Sequence, residues 1–246
     1  MTANNPTSAA AVCPSYNELQ QLLAHLVANG PAEQVLPLAL RQLSQPLVLS
    51  GLLTGIAHQP QWLSRVQQAS YYHRNGFDKL VLLQGQTYKL RLHHFRPNGG
   101  ELPSENIHDH RWPFASAVIS GRLHMNLFET HPTLGQPVQE YQYTSNRTDE
   151  TLRAVPVGAN RLRTCDYLVY EAGTQYFMPT TALHQIVYVP GQQALTLVLT
   201  GKPERSTCRL FAKEVLEPED MDEILYTGAF LRKKLLVLAK HIQTLS

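Results

Sequence analysis

Asn106-Ile107-His108-Asp109-His110, followed far downstream by a lone His184, is the part of this chain whose residue types and spacing can do chemistry. On an extended strand the first and third side chains of a triplet share a face, so His108 and His110 converge on one point while Asp109 points away. His184 supplies a third imidazole. Three neutral imidazoles leave positions open on a divalent iron, zinc, copper or nickel ion, which is the pattern of a catalytic site. Structural zinc closes its shell, usually with thiolates, and Cys13, Cys165 and Cys208 are scattered without any Cys-x-x-Cys spacing. A cation bound by uncharged rings keeps its charge, and that favours an anionic or chelating substrate.

Arg74 is a candidate to fix a substrate carboxylate through two parallel hydrogen bonds, because its guanidinium is planar and always charged. Arg91, Arg96 and Arg111 compete for that role. Arg91 lies in the alternating run Leu90-Arg91-Leu92-His93, where it faces either a polar pocket or solvent. Tyr176, eight residues before His184, is a candidate catalytic phenol. His93, His94 and His124 read as surface or hydrogen-bonded histidines. Trp112 and Phe114 read as pocket wall or core.

The elements that position these groups follow from apolar spacing. Residues 1–14 are rich in Ala, Asn, Thr, Ser and Pro and read as a disordered leader. Residues 15–70 read as a helical segment. Ser15 is a plausible N-cap with Glu18 three residues on, Leu19, Leu22, Leu23 and Leu26 recur at helical intervals, and Gly30-Pro31 punctuates before a second helix through Leu43. Leu47 to Ile56 and Gln61 to Gln68 predict two further short helices. From Tyr71 the chain turns β-rich. Leu80 to Leu83, Tyr88 to Leu92, Phe114 to Ile119, Arg122 to Glu129, Tyr167 to Tyr170, Gln185 to Val189 and Leu195 to Thr200 predict short strands between Gly, Pro and Asn turns, hence a sandwich or barrel over 71–215. Thr130 to Arg163 is polar, with a strand predicted only at Tyr141 to Thr144, and reads as an insertion near the site mouth. Residues 216–246 carry a last helical pattern from Met221 to about Thr244, read as a packing helix.

Composition narrows the classes. The 246 residues, 43% of them hydrophobic, suffice for one sizeable domain with appendages. A formal charge of +2, from 21 basic and 19 acidic residues, creates no strong field, and the only basic run is Arg232-Lys233-Lys234, so a nucleic-acid partner is not expected. No run approaches the ~18 apolar residues that cross a bilayer, and Met1 to Pro14 does not read as a secretory signal, so no membrane partner is expected. An odd set of scattered cysteines fits a reducing, cytoplasmic setting. The oligomeric state stays open.

The order His108-Asp109-His110, Gly121, then Gly173-Thr174-Gln175-Tyr176-Phe177-Met178-Pro179 and His184 resembles the two motifs of the cupin superfamily. The resemblance implies a mostly β fold, a double-stranded β-helix or jelly-roll barrel, here with N-terminal helices and a C-terminal helix. Arg111 to Ala115 supplies no glutamate where that superfamily usually has one, which leaves a three-histidine site. Within the superfamily the chain looks most like the cysteine dioxygenase group, through Ile107 to His110, the missing glutamate and Tyr72-His73-Arg74-Asn75. The likeness spans roughly Gln61 to Gly201 and implies Fe(II) on His108, His110 and His184, with Arg74 and Tyr72 as substrate contacts and O2 as co-substrate. Zinc, nickel, manganese or copper are the alternative metals.

The departures shape the expectation. Positions that carry the group's crosslinked Cys and Tyr fall on Ala115 and Gly201, and its Ser-His-Tyr relay falls on Leu197, Leu199 and Gly201. A different substrate or outcome from plain cysteine oxidation is therefore expected. The leading function is a non-haem iron oxygenase acting on a small amino-acid-like or thiol-bearing carboxylate. The alternatives are an O2-independent isomerase, lyase or hydrolase, or a metal-binding regulatory module. A 2-oxoglutarate oxygenase fits less well, since His110 occupies its carboxylate position and Ala194 the place of its arginine.

Overall fold

The computed structural model describes residues 15–73, 75–96, 105–145, 152–213 and 224–245. Four helices come first: α1 (Tyr16–Asn29), α2 (Ala32–Leu43), α3 (Pro46–His58) and α4 (Pro60–Ala69). Ser15 opens α1 with the expected capping box, the Glu18 N–H donating to Ser15 Oγ and the Ser15 N–H donating to the Glu18 carboxylate at 2.7 Å. Prolines sit in the first turn of α3 and α4, where no N–H is needed. A fifth helix, α5 (Gly228–Gln243), is capped by Thr227 and packs on α3 and α4. The helical pattern anticipated from Met221 begins later than expected. Residues 221–223 lie outside the described residues, and Ile224–Leu225 form a short strand.

Among the described residues there are twelve strands: β1 (Tyr71–His73), β2 (Phe77–Gln84), β3 (Lys89–Phe95), β4 (Ile107–His108), β5 (Phe114–Thr130), β6 (Gln136–Ser145), β7 (Leu152–Glu171), β8 (Gln175–Met178), β9 (Leu183–Val187), β10 (Ala194–Thr200), β11 (Cys208–Ala212) and β12 (Ile224–Leu225). All pairings among them are antiparallel. The first sheet runs β12-β1-β2-β3-β10-β5, with β8 on the other side of β5. The second is a hydrogen-bonded circuit, β5-β7-β6-β11-β4-β9 and back to β5. This is the mostly β, double-stranded β-helix that the motifs imply, with helices at both ends of the chain.

β5 joins the two sheets. The sequence suggested two strands with a turn at Gly121, whereas the chain runs through as one strand. Gly121 adopts φ +76°, and a Cβ there would stand 1.9 Å from the Gln193 carbonyl oxygen, so only glycine fits the crossing. The polar segment taken as an insertion is instead structural. β6 and β7 complete the second circuit, and one buried residue from each of its six strands, Ile107, Phe128, Val138, Leu162, Leu183 and Phe211, forms a separate small core.

The centre of the first sheet, around β2, β3 and β10, is buried on both faces. Leu80, Leu82, Leu90, Leu92, Leu195, Leu197 and Leu199 pack against the helices, each contributing about 1.5–3 kcal/mol by leaving water. The opposite face joins Phe77, Phe95, Phe114, Met178, Ala194 and Val198 to Leu123 and Met125 of the second sheet in the barrel interior.

Candidate metal centre

The three histidines meet where β4 and β9 pair. His108 lies directly opposite His184, and His184 opposite Leu127 of β5, so the hydrogen-bonded register brings ligands 76 positions apart in sequence onto one face. His110 follows just past the end of β4. Ring centroids are 4.8 Å apart for His108 and His110, 4.7 Å for His108 and His184, and 5.0 Å for His110 and His184. Their donor atoms all lie within 4.8 Å of one another.

The rings are prepared for a cation. His108 Nδ1 sits 2.9 Å from the Asn106 carbonyl oxygen, and His184 Nδ1 sits 3.2 Å from that of Ala182. A carbonyl only accepts, so each Nδ1 carries the proton and each Nε2 keeps its lone pair for a ligand. Burial pushes His184 down to about 3, with the neighbouring His108 adding to the effect. Burial, followed by the charges of His108 and His184, also holds His110 well below the usual imidazole range. Both therefore stay neutral, which is the ligating form. This donor set fits a divalent transition metal with open coordination positions.

Asp109, between two of the rings, points away as expected and anchors them. It is fully buried. Its carboxylate accepts from the Arg209 backbone N–H at 2.7 Å and from Arg209 Nε at 2.8 Å, and it pairs with Arg205 at 3.0 Å. Arg205 also donates to the His110 carbonyl at 2.6 Å and to that of Thr180. The two arginines thus tie the histidine pair to β11 and to the loop before His184. Nothing local in the sequence pointed to Arg205 or Arg209.

Aromatic rings wall the site. Trp112 stacks on His110 at 5.9 Å, and Phe114 stands edge-on to His110 at 5.2 Å and lies 6.2 Å from His184. Tyr176 on β8 packs edge-on against Phe114 at 6.2 Å and stacks on Tyr170 at 4.2 Å. Burial pushes its phenol well above the ordinary value, so the proton stays on oxygen.

The anticipated substrate contacts divide. Arg74 lies outside the described residues. Tyr72 packs against the helix-side core, and it is Tyr71 that shares a face with Lys79 and His93 on the histidine side. Arg96 belongs to the helix side too, paired with Asp78 at 3.1 Å. Arg111 lies 5.1 Å from the Trp112 ring, and its guanidinium donates to the Ser206 carbonyl at 3.4 Å. Arg91 faces inward, buried, 5.1 Å from the same ring. Burial pushes it down to about 10, with Tyr71 opposing the effect and the charge of Arg111 adding to it. His124 is hydrogen-bonded as read, lying 2.7 Å from the Tyr167 hydroxyl, whereas the His94 Nδ1 stands 3.7 Å from Asp78 and is buried without a hydrogen-bond partner. His93 departs from the sequence reading, turning into the barrel against Phe77.

No protein-family model and no curated protein matches the sequence. Among solved structures, the polyketide cyclase RemF from Streptomyces resistomycificus is similar at 19% identity, over 61% of this chain and 82% of that one, with a TM-score of 0.34. An oxalate decarboxylase from Lactobacillus farciminis in a formate complex is 12% identical over 56% of this chain and 32% of its own, TM-score 0.33. The hydroquinone 1,2-dioxygenase PnpCD, bound to Cd2+ and 4-hydroxybenzonitrile, is 12% identical over 58% and 72%, TM-score 0.32. All of these similarities are remote. No described helix is long and apolar enough to cross a membrane.

Proposed function

We propose that this chain is a metal-dependent enzyme of the cupin type, a non-haem iron oxygenase that acts with O2 on a small amino-acid-like or thiol-bearing carboxylate. The observation that carries this reading is the convergence of His108, His110 and His184, with the Nδ1 atoms of His108 and His184 bonded to backbone carbonyls and no carboxylate in the group. Bound there, Fe(II) would supply a site where substrate and O2 meet on one ion. The chain's own residues do the rest. Asp109 with Arg205 and Arg209 fixes the ring positions, Trp112 and Phe114 keep water from the rings, and Tyr176 holds a proton at its phenol oxygen. Arg91 and Arg111, each 5.1 Å from the Trp112 ring, bring positive charge toward an acidic substrate. The free thiols of Cys165 and Cys208 fit a reducing, cytoplasmic setting.

The test is metal analysis of protein purified without chelators, followed by an oxygen-uptake screen over small amino-acid-like and thiol-bearing acids. Iron retention with substrate-dependent O2 consumption is expected. Turnover that persists without O2 would replace oxygenation by isomerase, lyase or hydrolase chemistry, and purified protein that takes up no metal would point to a binding module.

A further inference from the structure

Arg91 carries a positive charge that nothing in the described chain neutralises. It is 7% exposed, its Nε has no hydrogen-bond partner, and no described carboxylate lies within ion-pairing distance. The other buried charged groups have cation or hydrogen-bond partners. Asp78 is held by Arg96 and Lys234, Asp109 by Arg205 and Arg209, and Glu105 accepts from Asn75 and from the Ile186 N–H. An unpaired buried charge is among the costliest features a fold can retain. It is kept where a ligand supplies the opposite sign.

A second open donor stands beside it. His93 follows two residues along β3 on the same face, about 6.6 Å away along the strand. Its Nε2 is also buried without a partner, and its ring is fixed by Phe77 at 4.9 Å and Phe95 at 6.1 Å. Phe114, Met178, Val198 and Trp112 pack in the barrel interior beside this strand, and Lys79 and Tyr71 share the face of His93. Trp112 links the two regions, touching Arg91 on one side and His110 on the other.

We infer that Arg91 and His93 form the receptor for an oxyanionic head group, so that the substrate is a two-ended acid: one end ligates the metal and the other, a carboxylate or a phosphate, is anchored on β3. This rests on the reading of the three histidines as a metal centre. The Arg91 guanidinium donates Nε–H and a terminal N–H to two oxygens of the head group, and His93, in the tautomer with its proton on Nε2, donates to the same group.

Acetate and inorganic phosphate, titrated calorimetrically into metal-loaded wild type and into the His110→Ala variant, test the receptor apart from the metal. One of the two anions is expected to bind both proteins with similar affinity, and the tighter one identifies the head group. Arg91→Met is expected to lower that affinity about tenfold or more, the weight of a hydrogen bond to a charged group, while keeping the metal and raising the melting temperature in anion-free buffer. His93→Phe is expected to weaken binding more mildly. The inference is overturned if neither anion binds wild type, if Arg91→Met binds as wild type does, or if Arg91→Met melts lower or fails to fold, since Arg91 would then be a structural ion-pair partner. Anion binding by a wild type that takes up no metal would leave the receptor standing and sink the metal reading instead.

Discussion

The two faces of the first sheet bury charge in opposite ways. On the helix side, Asp78 is 1% exposed and fully engaged, with Arg96 at 3.1 Å, Lys234 of α5 at 2.6 Å, the Tyr226 hydroxyl donating to it and His94 at 3.7 Å. On the histidine side, Arg91 is also buried, at 7% exposed, and has no ion-pair partner among the described residues. One strand pair therefore carries a satisfied charge on one surface and an unsatisfied one on the other. Satisfied burial holds α5 to the sheet, and unsatisfied burial is what a binding site looks like before its ligand arrives.

If that contrast is right, substitutions on the two faces separate stability from metal and ligand binding. Asp78→Ala leaves Arg96 and Lys234 without their acid and should cost about 3–5 kcal/mol in urea unfolding, with metal content per folded chain unchanged. A parallel loss of metal would show that the faces are not independent. Leu197→Ala, on the same face, should cost about 2–5 kcal/mol by opening a cavity under the helices. Arg91→Met should instead gain about 1 kcal/mol or more by removing an unpaired charge, and a loss of that size would erase the contrast.

The smallest effect is a pH slope. Burial, aided by the charge of Arg96, pushes His94 down to about 4. Below the ordinary imidazole value near 6.5 the unfolded chain takes up a proton that the folded chain refuses. His94 therefore contributes its full stability above about pH 6.5 and loses it progressively as the pH falls toward 4. Melting temperatures from pH 7 to pH 4 should fall less steeply in His94→Gln, and an unchanged slope would place the titration elsewhere.

The helix side was legible in the sequence because its signals are local. Ser15 and Glu18 mark the start of α1, and the leucines of β2, β3 and β10 alternate as half of a strand's residues should. His108, His110 and His184 were legible because strand geometry brings their types and spacing together. β6 and β7 were not. Their alternation rests on a few buried residues such as Val138, Tyr141 and Leu162, while the rest of β7 is solvated and paired across strands, as Arg163 is with Glu129 and Asn160 with Glu140. The Asp109 anchor was hidden for another reason: its partners Arg205 and Arg209 lie about a hundred positions downstream, and only the pairing of β4 with β11 brings them near. Arg91 was ambiguous between pocket and solvent, and the helices that cover its leucine neighbours decide for the pocket.

The central claim is that the three histidines hold one metal ion. Metal content of wild type and His184→Ala, purified side by side and checked for equal folding, tests it most directly. One divalent ion per wild-type chain and none in the variant is the predicted result. Equal metal in both, or none in wild type after incubation with Fe(II), zinc, nickel, manganese and copper in turn, would contradict it.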